Sequence, residues 1–205
     1  MTVGSTAGQF LIDYFAIVVG VFCGALHGVK HKLDVVGVST LGIVVGYGGG
    51  IMRDTLLQSH GFFIMQYPRL FLLCIAIGVL VSTFRRQLRR IEPHLFYVDA
   101  FSMALYTLAG SIKAWNCNVG PILTIMLGVL TAVGGGVLRD ICTGKTPAVF
   151  QSSNFYAVSG IAGSAAYVAA VELGLPIPIP DIACVGVAFS LTVASAHFDW
   201  RTSAE

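Results

Sequence analysis

Gly48-Gly49-Gly50-Ile51-Met52-Arg53-Asp54 and Gly134-Gly135-Gly136-Val137-Leu138-Arg139-Asp140 are two copies of one pattern, GGGxxRD, set 86 residues apart. The same offset aligns the surrounding chain without gaps. Between positions 10–54 and 96–140, Phe10, Asp13, Phe15, Gly24, Leu41 and Gly42 find identical residues at Phe96, Asp99, Phe101, Gly110, Leu127 and Gly128. With the five fixed positions of the motif this makes eleven identities, and the apolar runs coincide as well. Composition alone does not crowd nearly half of the matches into one heptapeptide, so the chain reads as an internal duplication.

The duplicated segments are of membrane type. The 205 residues are 56% hydrophobic and 11% charged, against roughly 25% charged in an average soluble domain, and the mean hydropathy is +0.82. A bilayer crossing takes about 20 mostly apolar residues, and seven runs qualify as predicted spans: 10–29, 33–57, 69–84, 95–113, 119–142, 154–173 and 182–199. The third has a short apolar core. Connections are brief, so residues 1–205 are expected to form a single membrane domain, with repeat one at 10–84, repeat two at 95–173 and a seventh helix at 182–199. The fold class is thus an all-α polytopic membrane protein, a 3+3 repeat plus one helix. The first run is expected to be a permanent span, since its flank lacks the basic residues and cleavage site of a signal peptide.

Basic residues orient the chain. With the motif arginines set aside, Lys30, Lys32, Arg85, Arg86, Arg89, Arg90, Lys145 and Arg201 fall on one side and Arg69 and Lys113 on the other. The N-terminus is therefore expected outside and the C-terminus in the cytoplasm. Each unit holds an odd number of spans, so the second copy enters from the opposite side. The result is an inverted repeat, an architecture that places a permeation or substrate site near the midplane.

Three glycines in a row weaken a helix by roughly 1 kcal/mol each relative to alanine. Gly48, Gly49, Gly50, Gly134, Gly135 and Gly136 therefore point either to a break or kink beside a pathway, where irregular backbone is tolerated, or to close helix packing. Their occurrence at matched positions of two inverted copies favours the first, with packing as a joint role. Hydroxyls share stripes with these glycines, Ser39 on the second helix and Thr124 and Thr131 on the fifth. Such groups can replace part of a cation's hydration shell or satisfy neighbouring backbone in a dry interface.

Charges within spans are costly and are usually paired or face water. Topology puts Asp13 on the side of Arg53, and Asp99 on the side of Arg139. Two symmetry-related contacts follow, Asp13–Arg53 and Asp99–Arg139; the alternative is that both aspartates cap helix N-termini. With Asp54 and Asp140, the arginines are candidate pore and gate residues. An arginine in a cation path can block in one state and withdraw in another.

The remaining residues carry less. His27, His31 and His197 read as interfacial, and Lys113 as a snorkelling helix end. The segment Leu175 to Pro180 reads as a stiff turn. The five cysteines have no metal-ligand or disulfide spacing, so no metal is expected. The sequence shows no nucleophile elbow, zinc-protease motif or phosphate loop, and the expectation is a non-enzyme. A net charge of +2 gives no ground for a nucleic-acid partner.

With its duplicated GGGIMRD and GGGVLRD, seven spans and outside N-terminus, the chain resembles prokaryotic members of the trimeric intracellular cation channel family over most of its length. The resemblance implies a homotrimer in the cell membrane with one pore per protomer, lined by the glycine-kinked second and fifth helices and conducting monovalent cations, chiefly potassium. It implies no cofactor beyond permeant potassium or sodium and bound membrane lipid. The Lys-Glu-Val segment of the animal members is missing, so their regulation does not carry over. Similar bacterial proteins are described as glycine transporters, and a secondary transporter of a small solute such as glycine stays open as the alternative.

Overall fold

The computed structural model describes residues 6–58, 63–151 and 155–200, so Arg201 of the charge count lies outside the described residues. Among these residues there are helices and turns and no strand. Among the described residues the longer helices are α1 (Thr6–Lys30), α2 (Val35–Leu57), α3 (Pro68–Thr83), α4 (Leu95–Asn116), α5 (Pro121–Cys142), α6 (Tyr156–Glu172) and α7 (Ile179–His197). Short helical turns at Phe63–Gln66, Arg85–Leu88, Arg89–His94 and Ala148–Phe150 lie in the connections.

Local chemistry sets several boundaries. Asp34 caps α2, its Oδ1 accepting from Gly37 N–H at 2.7 Å, which satisfies one of the free donors of the first turn. Proline stands in the first turn of α3, α5 and α7, where its missing N–H costs nothing. For α7 this corrects the expected boundary: Ile179 and Pro180 belong to the helix, and the turn before it is shorter than Leu175 to Pro180.

Five helices, α1, α2, α4, α5 and α7, are long and apolar enough to cross a membrane. The 16 residues of α3 span about 24 Å at 1.5 Å per residue, short of a hydrocarbon core of about 30 Å. The 17 residues of α6 fall short by nearly as much.

In the bundle α1 packs on α2, α3 and α4, while α4 packs on α5, α6 and α7. The motif helices α2 and α5 pack on each other. Contacts at these interfaces recur at the 86-residue offset. A Cβ added to Gly135 would stand 2.6 Å from Val45 O, and Gly49 makes the equivalent approach to Thr131 O. Gly48 meets Leu138 as Gly134 meets Met52, and Gly24 meets Val45 as Gly110 meets Thr131. At Gly135, Gly49, Gly24 and Gly110 a methyl group would press on backbone, and at Gly48 and Gly134 on the ends of Leu138 and Met52.

Both triplets lie inside unbroken helix, so of the expected break or kink a break is absent, while the joint packing role is in place. The glycines work by close approach instead. Their propensity cost is offset by backbone-to-backbone packing that any larger residue would prevent. The third glycine of each triplet is different: around a Cβ on Gly50 the nearest atom is Arg53 Nη2 at 3.9 Å.

Candidate functional site

Two buried ion-pair clusters occupy opposite ends of the bundle. In the first, Arg53 near the end of α2 is 1% exposed. Its Nη1 donates to Asp13 Oδ1 of α1 at 3.0 Å and to Ala109 O of α4 at 3.2 Å, and its Nε donates to Asp54 Oδ1 at 2.8 Å. In the second, Arg139 near the end of α5 donates from Nη1 to Asp99 Oδ1 of α4 at 2.8 Å and from Nε to Asp140 Oδ1 at 2.9 Å. The aspartates do not cap helices: Asp13 is two turns inside α1, and Asp99 is past the first turn of α4.

The two residues that close the motif have different tasks. The arginine reaches across to another helix. The aspartate holds the next connection: Asp54 Oδ2 accepts from Phe63 N–H at 3.2 Å and Asp140 Oδ2 from Ala148 N–H at 3.1 Å. Each of those N–H groups opens a short helical turn. One carboxylate thus couples the arginine to the backbone of the following loop.

The clusters differ in one member. Lys113 of α4 donates to Asp54 Oδ1 at 2.8 Å and is 7% exposed. It is a buried partner and not the snorkelling end read from the sequence. The position 86 residues earlier is His27, whose Nδ1 lies 3.0 Å from Cys23 O, while Cys23 Sγ donates to Asp99 Oδ1 at 3.3 Å. Two acids and two bases make the Arg53 cluster neutral. The Arg139 cluster has two acids and one arginine, with a histidine at the fourth place. The second cluster is also more open: the side chains of Asp99 and Asp140 are 21% and 12% exposed, against 7% and 2% for Asp13 and Asp54.

A cavity adjoins each cluster. One of about 150 Å³ is bounded by Asp13, Lys113, Gln9, Gln66 and Tyr67. The other, of about 180 Å³, is bounded by Asp99, Arg139, Asp140, Tyr156 and Thr192. The hydroxyls singled out in the sequence divide. Ser39, Thr124 and Thr131 each donate to the carbonyl four residues earlier, at 2.8, 2.8 and 2.6 Å. Thr131 also borders a small pocket beside Arg53. Ser39 is packed closely against Gly78. No group of three metal-ligating side chains occurs among the described residues.

Two cavities at opposite ends, each beside a buried arginine–aspartate cluster, accord with what the chain is similar to. Its structure superposes on a trimeric intracellular cation (TRIC) channel orthologue from Rhodobacter sphaeroides with a TM-score of 0.87 and 29% identity, covering 95% of this chain and 100% of that one. A chain solved to explain conductance through TRIC cation channels matches with a TM-score of 0.84 and 27% identity, covering 95% and 96%. The chain is a prokaryotic member of the trimeric intracellular cation channel family. A family model described as "Glycine transporter" matches this member twice, at residues 10–86 and 96–172. The two matches carry the same 86-residue offset as the motif. The UPF0126 inner membrane protein YadS of Escherichia coli strain K12 is 29% identical over 196 residues, 93% of this chain and 94% of that protein. A UPF0126 membrane protein of Streptomyces coelicolor is 35% identical over 176 residues, 85% and 80% of the two chains. With inner-membrane relatives and apolar helices, the chain is a multi-pass membrane protein.

Proposed function

We propose that the protein is a passive channel for monovalent cations, chiefly potassium, working as a homotrimer with one path per protomer. The path is lined by α2 and α5, and Arg53 and Arg139 gate its two ends. The observation that carries this reading is the pair of equivalent arginine clusters, each standing beside its own cavity. Withdrawal of an arginine from its aspartate joins the cavity to the bundle interior and leaves a carboxylate to attract a cation. In this reading all seven helices cross the membrane as an inverted 3+3 repeat and a seventh helix, with the N-terminus outside and the C-terminus cytoplasmic. The paired family matches and the reciprocal glycine contacts support the repeat. The short α3 spans by drawing its flanking arginines to the interface. The six motif glycines are the points where α2 and α5 slide or bend against each other.

The secondary-transporter reading has its own support in the name of the family model and in cavities that hold acidic and basic groups side by side, as a zwitterion such as glycine requires. Planar-bilayer recording separates the two. The channel reading expects single-channel currents whose reversal potential follows the potassium gradient. Saturable counterflow of labelled glycine without such currents would establish the transporter instead.

A further inference from the structure

We infer that Tyr106 is a central barrier to permeation, standing on the pseudo-two-fold axis between the arginine clusters and supplied by the second unit alone. The inference rests on the cation-channel reading and adds to it a third barrier that neither arginine provides.

Position comes first. Tyr106 and Gly20 are 86 residues apart, so they are equivalent positions of the two units, and they touch. A Cβ on Gly20 would stand 2.8 Å from both Cε2 and Cζ of Tyr106. A position that meets its own counterpart lies at the symmetry axis. The glycine triplets mark the same axis, with a Cβ on Gly134 at 3.0 Å from Gly49 Cα and one on Gly48 at 3.7 Å from Gly135 Cα. An inverted repeat has its axis in the membrane plane, which sets Tyr106 at the midplane. Tyr106 is also midway along α4, and its partner Gly46 is midway along α2.

The chemistry suits a plug. Tyr106 is 5% exposed, and its hydroxyl donates to Gly46 O at 2.6 Å. Beside Arg53 lies a separate pocket of about 10 Å³ walled in part by Tyr106 and Thr131, room for about one water. The ring occupies the volume that the missing side chain of Gly20 leaves. Swinging it aside uncovers the Gly46 carbonyl and the bare backbone of Gly20. Backbone carbonyls are the oxygen ligands that replace a cation's hydration shell in selective pores. The first unit has a glycine at the equivalent position, so no counterpart ring faces Tyr106 across the axis.

The test is uptake of radioactive rubidium into potassium-loaded proteoliposomes carrying trapped calcein, with wild type, Tyr106→Phe, Tyr106→Ala, Gly20→Ala and Arg139→Gln compared at equal reconstitution. Tyr106→Phe keeps the ring and loses the hydroxyl; it should raise uptake about fivefold, the population shift given by loss of one net hydrogen bond. Tyr106→Ala should raise it further, with calcein retained. Gly20→Ala, whose methyl displaces the ring, should raise it without altering the tyrosine. A folding defect lowers uptake and does not mimic these gains. If wild type conducts and the three variants match it or fall below it, the barrier is refuted while the channel stands. If no protein conducts, including Arg139→Gln, the channel reading falls and the barrier with it.

Discussion

Lys113 and Asp54, on α4 and α2, meet at 2.8 Å in a buried contact that Arg53 shares through the same carboxylate oxygen. This contact makes the Arg53 cluster self-neutral, whereas the Arg139 cluster has His27 at the position equivalent to Lys113. Lys113→Met should therefore destabilise the protein by roughly 1–3 kcal/mol, the cost of a buried charged acceptor losing a donor. Thermal melting in detergent checks this, and His27→Met should show a smaller loss. Equal losses at both positions would show that the two ends are electrostatically alike.

Asp13 and Arg53 are expected to depend on each other. Asp13→Ala leaves the guanidinium buried with one acid fewer and should cost about 3–5 kcal/mol. Combining Asp13→Arg with Arg53→Asp should restore much of the expression and melting temperature lost in either single reversal. A double variant as impaired as the singles would refute the pairing as a stabilising contact.

The middle and last glycines of the triplets should respond unequally to alanine. At Gly135 the methyl would press on Val45 O at 2.6 Å, an overpacking that costs about 1–3 kcal/mol. At Gly50 the space is open, and alanine should stabilise α2 by up to about 1 kcal/mol. Melting temperatures of the two variants should move in opposite directions.

The exposure of Asp99 and Asp140 makes the Arg139 end the easier one to open. Arg139→Gln alone should raise open probability more than Arg53→Gln alone, and it should change the voltage dependence, since one charge across the field is worth about 2.3 kcal/mol per 100 mV. Single-channel recordings at both polarities read both effects.

Much of this arrangement is legible in the chain. The offset that aligns the two motifs also brings Asp13 into register with Asp99, and helix length and direction place each at the end where its arginine lies. Lys113 is not legible, because identity matching passes over a position where one unit has lysine and the other histidine. Its signal is the offset itself: the residue equivalent to a charged one is worth examining even when it differs. The glycine triplets leave their helices unbroken for a physical reason. Low helix propensity describes an isolated helix, and the packing of α2 against α5 outweighs it. Tyr106 is missed because its counterpart is a glycine, which the alignment shows only as a mismatch.

The central claim is that two arginine gates in series close one cation path. Its most direct measurement is the potassium current of the double variant Arg53→Gln/Arg139→Gln in a planar bilayer, beside each single variant and wild type. Opening should be graded, with the double variant open for the largest share of time and its reversal potential still set by potassium. A double variant that folds, inserts and conducts no more than wild type would contradict it.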